Sequence, residues 1–165
     1  MAMMTLDFHS KATQRVAALA FSAFALGVPQ AAIAESSAVP PVGYQIFCLR
    51  IPEQCQGGGA SVVRATESTL QEISRVNSAV NRAIKPRSDG AADVWAAGAS
   101  EGDCEDYVLT KRQELIARGF PPSALRVAYV KTRSGEGHAV LVVRTDQGDL
   151  TLDNLSGSVR GLKST

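Results

Sequence analysis

Three residues of this sequence have side chains and an order that suit covalent catalysis. Cys104 lies where a loop gives way to a predicted helix, His138 opens an apolar run typical of a strand, and Asp153 closes the next such run. A thiol, an imidazole base and a carboxylate that orients the base together attack acyl carbon. The sequence therefore predicts Cys104 as nucleophile, His138 as general base and Asp153 as the residue that holds the imidazole tautomer.

Each of these residues alone has a more ordinary interpretation. A cysteine at a helix start is most often a small buried hydrophobe, and an aspartate near a turn is usually a turn former. A histidine that opens a strand is most often structural. The catalytic interpretation depends on all three lying at the ends of elements that can meet above one sheet.

Acidic residues on both sides of the thiol complicate its chemistry. A thiol reacts as thiolate, a form that the positive end of a helix dipole favours. Asp103, Glu105 and Asp106 add negative charge, which raises the pKa of a thiol when nothing compensates it. Two explanations stay open: the acids cap the helix, or a hard cation such as calcium neutralises them.

Two helices are predicted to precede the strands. Apolar residues three and four positions apart predict a helix over residues 61–85, which a proline ends. A second helix over residues 104–118 begins at the cysteine, with Asp103 as N-cap and Asp106 in a capping-box position. Gly119 is a typical signal for the end of that helix.

An antiparallel meander is predicted to follow the helices. Residues 125–130 and 138–145 have the apolar character of strands, residues 146–149 form a hairpin turn, and residues 150–153 form the return strand. Helices followed by antiparallel strands predict an α+β domain with the cysteine helix packed on the sheet.

The predicted hairpin register leaves a gap inside the site. A tight turn at residues 147–148 pairs Asp153 with Val142, four positions from His138 on the same face. At ~3.3 Å per residue this separation is roughly 13 Å, which a bulge or a strong twist must close. Otherwise Asn154 or a backbone carbonyl orients the histidine.

The N-terminal segment is typical of a secretory signal peptide. Lys11 and Arg15 form a basic region, residues 16–28 are apolar, and residues 32–34 have the small-x-small pattern of a cleavage site. Cleavage near Ala34 predicts a periplasmic or secreted protein. A retained N-terminal anchor is the alternative.

Cysteine usage agrees with export. Cys48 and Cys55 are close in sequence, and an oxidising compartment favours a disulfide that closes this short loop. Cys104 is then the unpaired thiol, although its pairing with either of the others stays open. Residues 35–60 are predicted to be a lead-in that carries this loop. The formal net charge of +1 gives no electrostatic reason to expect a nucleic-acid partner.

Three ordered motifs resemble those of the bacterial transglutaminase-like cysteine proteinases. They are Gly-Asp-Cys-Glu-Asp-Tyr at residues 102–107, Gly-His-Ala-Val-Leu at 137–141 and Leu-Asp-Asn-Leu at 152–155. The resemblance covers roughly residues 43–156 and implies a papain-like, transglutaminase-type fold for residues 61–156. It implies Cys104 as nucleophile, His138 as base and Asp153 as third member of a thioester-forming triad.

The same resemblance extends to a cofactor and to partners. Members of the adhesin-releasing periplasmic branch bind calcium through acids beside the cysteine, which by position are Asp103 and Glu105, with Asp106 as a further candidate. That branch acts on protein substrates and is regulated by a membrane-bound cyclic-di-GMP receptor. The resemblance therefore implies a peptidase that acts on a surface or periplasmic protein, with calcium and such a receptor.

The end of the sequence departs from the family pattern. Relatives usually continue past Leu-Asp-Asn-Leu with an aromatic-rich segment, whereas residues 156–165 are polar and basic. We expect residues 157–165 to be a short tail, whether from a truncated domain or a natural short form, that leaves a sheet edge exposed. A sheet that lacks its closing strand would weaken the domain, and its catalytic activity would then be in doubt. Acyl transfer to an amine, as in a transglutaminase, and a catalytically silent periplasmic binding domain are the alternative functions.

Overall fold

Three α-helices and two sheets make up the part of the chain that the computed structural model describes, residues 39–161. The helices are α1 (Val42–Arg50), α2 (Glu67–Ala83) and α3 (Cys104–Ala117). The strands are β1 (Lys85–Pro86), β2 (Glu101–Gly102), β3 (Leu125–Lys131), β4 (Gly137–Thr145), β5 (Gly148–Leu152) and β6 (Arg160–Gly161). The predicted signal peptide, with its cleavage site near Ala34, and residues 162–165 lie outside the described residues.

The larger sheet provides the surface on which the cysteine helix packs. Its strand order is β3-β4-β5-β6, and all neighbouring strands are antiparallel. Helix α3 packs on β4, and α2 packs against α3. The main apolar core lies between these elements and includes Ile73, Val108 and Leu141. The predicted α+β class, with the cysteine helix on an antiparallel sheet, is confirmed.

Helix α2 begins six residues later than predicted. Its N-cap is Thr66, whose hydroxyl accepts a hydrogen bond from the N–H of Thr69 at 3.2 Å. Residues 61–65 are not helical, and Val63 forms a parallel bridge with Thr145. The prediction of a helix from residue 61 was wrong because apolar spacing alone does not mark a helix start, whereas a threonine cap does.

Helix α1 was not predicted and forms within the segment expected to be a lead-in. Phe47 is buried in a second small core with Trp95 and Leu109. A Cβ on Gly43 would lie 2.4 Å from the Trp95 ring, so only glycine allows this close approach. The helix carries exposed apolar residues such as Leu49 as well, and it therefore lacks the one-sided pattern that identifies a surface helix.

The β4–β5 hairpin has a different register from the predicted one. Thr145 pairs with Gly148 and Leu141 pairs with Leu152, so the two-residue loop is Asp146 and Gln147 rather than residues 147–148. Gly148 has a φ of 112°, a conformation that glycine adopts readily. This shift of two residues in pairing moves Asp153 towards the open end of β4, where His138 lies.

The polar tail joins the sheet in part. Arg160 pairs with Thr151 and Gly161 pairs with Leu150, which makes β6 the strand next to β5. Two residues of the expected tail therefore form a strand at the edge of the sheet. Short polar strands carry almost no sequence signal, because nothing in them needs to be buried.

Two further features concern the predicted export of the chain. Cys48 and Cys55 form a disulfide, and Cys104 is the free thiol, which confirms this pairing over its alternatives. Within residues 39–161, no helix is long and apolar enough to span a lipid bilayer.

Candidate active site

Cys104 is the first residue of α3 and lies directly after its N-cap, Asp103. The Asp106 carboxylate accepts a hydrogen bond from the Asp103 N–H at 3.2 Å, which is the capping-box contact expected from the sequence. Gly102 passes so close to Asp106 that a Cβ there would lie 1.9 Å from its Oδ2. The helix start is therefore fixed by this capping contact and by the close approach of Gly102.

His138 and Asp153 form a direct hydrogen-bonded pair. Nε2 of His138 lies 2.8 Å from Oδ1 of Asp153. Continuing the observed pairing places Asp153 opposite Val140, two positions from His138 on the same face, or roughly 7 Å along the strand. The predicted separation of roughly 13 Å was wrong because the register was wrong, and neither a bulge nor Asn154 is needed to orient the histidine.

Hydrogen bonds within the turn and from helix α2 both fix the turn that carries Asp153. Oδ1 of Asp153 also accepts the N–H of Leu155 at 2.9 Å, which fixes the carboxylate on its own turn. Nδ2 of Asn81, on α2, donates to the main-chain carbonyls of Asp153 at 3.0 Å and Ser156 at 3.1 Å. The carboxylate is therefore positioned before any substrate arrives, as an orienting group must be.

The thiol of Cys104 lies against the strand that carries the histidine. Its Sγ accepts a hydrogen bond from the N–H of Ala139 at 3.4 Å, and the thiol donates to the Glu105 carboxylate at 3.1 Å. Burial, with contributions from Glu105 and Asp103, raises the pKa of Cys104 to about 12. Burial, reinforced by the neighbouring acids, therefore favours the neutral thiol in this conformation.

One cavity of about 420 Å³ has both Cys104 and His138 in its wall. The wall is built from four segments of the chain: residues 86–88, 102–104, 136–138 and 154–155, with Tyr107 and Thr132. Since Nε2 of His138 is engaged by Asp153, Nδ1 is the ring nitrogen left to exchange a proton with a group in the cavity.

The three predicted metal ligands differ in whether their carboxylate oxygens already accept hydrogen bonds. Oδ1 of Asp103 is buried and has no hydrogen-bond partner among the described residues. Burial and the neighbouring Asp103 carboxylate raise the pKa of Glu105 to about 7, so these two acids are crowded together. Both oxygens of Asp106, by contrast, accept main-chain N–H groups, from Ala96 at 2.8 Å and from Asp103.

Asp103 and Glu105 therefore fit a hard cation, while Asp106 is occupied as a cap. Burial raises the pKa of Asp106 to about 6, in agreement with an enclosed structural role. Within residues 39–161, no group of three or more His, Cys, Asp or Glu side chains is arranged to hold a metal ion. Calcium bound by Asp103, Glu105 and Asp106 stays a prediction.

Sequence reasoning missed two residues, Asn81 and Lys111, whose environment involves Asp153, the predicted third residue of the catalytic triad. Asn81 holds the main chain of Asp153. Lys111 is fully buried on α3, and the negative charge of Asp153 opposes the lowering of its pKa by burial. Lys111 had a usable signal, because it lies seven residues after Cys104 on the apolar face of the helix. Asn81 had none, since a polar residue beside an apolar stripe is ordinary.

The family of the chain follows from its sequence. A family model described as bacterial transglutaminase-like cysteine proteinase (BTLCP; Peptidase_C93) matches residues 34–165. The chain belongs to this family. No curated protein matches the sequence significantly.

The fold of the chain is similar to that of solved structures. The chain is similar to Legionella pneumophila LapG in its calcium-bound form, with a TM-score of 0.51 and 24% identity over 59% of this chain and 60% of that one. It is also similar to EGTA-treated LapG from the same organism, with a TM-score of 0.51 and 25% identity over 59% and 58% of the two chains. The predicted transglutaminase-type fold is confirmed, and the match spans about 60% of the LapG chains.

Proposed function

We propose that this BTLCP member is an exported cysteine peptidase that hydrolyses a protein amide bond through Cys104, His138 and Asp153. The observation that carries the proposal is that Cys104 and His138 line one cavity, with Nε2 of His138 bonded to Asp153. A peptidase family implies a protein substrate. The periplasmic location, the surface or periplasmic substrate and the membrane-bound receptor remain predictions.

The chemistry begins with the transfer of a proton from sulfur to nitrogen. The thiol, which now donates to Glu105, turns towards Nδ1 of His138 and gives up its proton there. The thiolate attacks the carbonyl carbon of the scissile bond, forming a C–S bond and an oxyanion. Asp153 keeps the proton of neutral His138 on Nε2 and stabilises the imidazolium that forms.

Breakdown of the tetrahedral intermediate uses the same histidine. The imidazolium returns the proton through Nδ1 to the leaving amine as the C–N bond breaks, which leaves a thioester on Cys104. His138 then takes a proton from a water molecule whose oxygen attacks the thioester carbon. The C–S bond breaks and releases the carboxylic acid, and the imidazolium returns its proton to the sulfur of Cys104. An amine in place of that water gives the alternative reaction, acyl transfer.

Calcium, when bound, would supply positive charge beside the thiol. Asp103 and Glu105 would hold it, since Oδ1 of Asp103 lacks a partner and Glu105 lies beside it. A Glu105 carboxylate engaged by a cation would no longer accept the thiol proton. LapG is known in calcium-bound and EGTA-treated forms, which supports testing calcium here.

Exposure to a complex peptide library tests the function without knowledge of the substrate. The full chain is incubated with peptides from a bacterial proteome, and new termini are read by mass spectrometry. We expect defined cleavage sites that disappear in Cys104→Ala. Cleavage that persists in Cys104→Ala would exclude Cys104 as nucleophile, and no cleavage with reactive wild-type protein would favour the silent binding domain.

An added amine separates the two enzymatic alternatives. Peptides that gain the mass of a primary amine at glutamine side chains report acyl transfer, whereas new carboxyl termini report hydrolysis. We expect new carboxyl termini to predominate.

A further inference from the structure

Tyr129 is an exposed aromatic residue on the strand next to the one that contacts the thiol. It pairs with Ala139 across the β3–β4 ladder, and the N–H of Ala139 donates to Sγ of Cys104 at 3.4 Å. Residues paired across neighbouring strands have Cα atoms about 4.5–5.5 Å apart. Side chains two positions apart share a face of the sheet, so Tyr129 lies on the face of Val127, which packs against the main core. This is the face that carries the cysteine helix.

The ring of Tyr129 rests on a buried aromatic residue. Its centre lies 6.3 Å from that of Trp95, with an angle of 16° between the two planes. Trp95 is only 2% exposed, and its Nε1 donates to Oδ1 of Asp93 at 2.9 Å. On its other side Trp95 meets the ring of Tyr44 at 5.4 Å. Tyr129 is nevertheless 54% exposed, so the stack offers an aromatic surface to a ligand from a fixed base.

Tyr129 also borders the cavity that contains the thiol. Gly137 is one of the residues that line this cavity, and a Cβ on Gly137 would lie 3.3 Å from Cε1 of Tyr129. A larger residue at position 137 would therefore crowd the ring, whereas glycine leaves the ring edge open towards the cavity. Burial, followed by the charge of Glu105, raises the pKa of Tyr129, in agreement with a position beside the start of the cysteine helix.

A peptide bound for cleavage has to pass close to this ring. Its scissile carbonyl carbon must lie about 3–3.5 Å from the sulfur of Cys104, and each residue of an extended peptide advances it by ~3.3 Å. A side chain one or two residues from the scissile bond therefore comes within reach of Tyr129. Aromatic rings held in place by their neighbours are favoured contacts for apolar groups, because they bury a large area with little loss of conformational entropy.

We propose that Tyr129, supported by Trp95, is a specificity-determining residue whose exposed ring contacts a large apolar side chain of the substrate within two residues of the scissile bond. The inference rests on the proposed function, and it narrows the substrate class to proteins with such a residue beside the cleaved bond. The hydroxyl of Tyr129 has no part in this contact.

The residue preferences around the cleaved bonds test this inference. They are read from the same peptide library with wild type, Tyr129→Ala and Tyr129→Phe. At one position within two residues of the cleaved bond, we expect wild type to favour large apolar residues over alanine by about tenfold. This preference should fall to about twofold or less in Tyr129→Ala and persist in Tyr129→Phe. Leu49→Ala is the control, because it removes an apolar side chain that is 83% exposed on α1, and it should leave the preference unchanged.

Three results would overturn the inference. An unchanged preference in Tyr129→Ala would mean that the ring serves only the stability of the stack. Loss of the preference in Tyr129→Phe would assign the effect to the hydroxyl instead of the ring. A preference for lysine or arginine that Tyr129→Ala removes would indicate a cation–π contact and a different substrate class. If Tyr129→Ala does not fold, Tyr129→Thr, which keeps a residue suited to a strand, takes its place.

A binding experiment separates this inference from the proposed function. Immobilised Cys104→Ala retains library peptides without cleaving them, and mass spectrometry identifies them beside those retained by Cys104→Ala with Tyr129→Ala. We expect large apolar residues to be enriched only in the first set. If wild type cleaves nothing, this comparison decides alone: a difference between the sets keeps the aromatic contact and refutes only the peptidase, and equal sets overturn the inference. Cleavage with the same preferences in wild type and Tyr129→Ala refutes only the inference.

Discussion

Nε2 of His138 lies 2.8 Å from Oδ1 of Asp153, although 15 positions separate the two residues in the sequence. The β4–β5 hairpin produces this contact, because its two-residue loop brings the end of β5 beside the start of β4. The N–H of Leu155 holds the same carboxylate oxygen. The pair leaves Nδ1 of His138 available to the cavity that Cys104 lines.

Replacement of Asp153 by asparagine is expected to abolish most of the activity while the protein stays folded. An asparagine amide that donates to Nε2 reverses the tautomer, so that Nδ1 carries the proton and cannot accept one from Cys104. By analogy with serine-protease triads, we expect the rate to fall by a factor on the order of 10³–10⁴. Library cleavage with Asp153→Asn, beside Asp149→Asn as control, measures this. Equal rates in the two variants would contradict the assigned role.

The cysteine helix could be predicted from the sequence because both of its ends carry signals. Asp103 caps its start, and Gly119, with a φ of 85°, follows its end. The N–H of Phe120 bonds to the carbonyl of Leu115 and that of Gly119 to Ile116, as in a Schellman motif. Local chemistry therefore determines this helix, and its predicted bounds differ from the observed ones by one residue.

Helix α1 and the hairpin register could not be predicted for a different reason. Each depends on contacts between distant parts of the chain, such as Gly43 against Trp95. The residue types of the candidate site could be predicted from the sequence, since a thiol, an imidazole and a carboxylate occur in order at the ends of predicted elements. The distances between them could not be predicted, because the separation between His138 and Asp153 depends on which residues form the turn.

Loss of the Asn81 side chain is expected to loosen the turn that carries Asp153. Asn81→Ala removes the donor to the carbonyls of Asp153 and Ser156. The Asp153 carbonyl then loses this donor, while the Ser156 carbonyl keeps the contact from Asn77 at 3.4 Å. Loss of a partly buried hydrogen bond of this kind costs about 1–3 kcal/mol, and we expect library cleavage to fall as well. Urea denaturation measures the stability. Gln71→Ala is the control on the same helix, because the Gln71 amide donates to an exposed carboxylate of Glu67. A stability equal to that of the control would show that Asn81 does not hold the turn.

An alanine at Gly102 is expected to damage the start of the cysteine helix. Its Cβ would lie 1.9 Å from Oδ2 of Asp106, so the carboxylate must leave the N–H groups of Ala96 and Asp103. Loss of a cap with local overpacking costs about 1–3 kcal/mol. Thermal unfolding measures the effect, and Gly58→Ala is a matched control, because nothing lies within 4 Å of a Cβ there. Similar melting temperatures of the two variants would argue against a tightly packed cap.

Lys111 is expected to make the stability of the protein depend on pH above neutrality. Its pKa is about 7 in the folded chain against 10.5 for a free side chain. Between these values the unfolded chain binds the proton and the folded chain does not, so the free energy of unfolding rises with pH. Lys111→Met removes the cost of burying this ammonium group, so it should stabilise the folded protein. The gain in stability should be greatest below pH 7 and disappear towards pH ~10. Melting temperatures of both proteins across this range, with Lys85→Met as reference, measure it. A gain independent of pH would mean that Lys111 does not titrate as a buried ammonium.

Calcium is expected to stabilise the folded chain through Asp103 and Glu105. Oδ1 of Asp103 is buried without a partner, and Glu105 is crowded against the same carboxylate. Binding to the folded state alone stabilises it by about 2.7 kcal/mol at 100 times the dissociation constant. Thermal unfolding with calcium, with magnesium and with a chelator measures this, and calorimetry gives the affinity.

The acidic variants distinguish ligands from caps in that experiment. Asp103→Asn and Glu105→Gln should abolish the shift caused by calcium, because each removes a charged oxygen ligand. Asp106→Asn should lower the melting temperature equally with and without calcium, since both oxygens of Asp106 already hold main-chain N–H groups. If Asp106→Asn alone removed the calcium shift, the cation would be bound at the cap itself. The division of roles among the three acids would then have to be reversed.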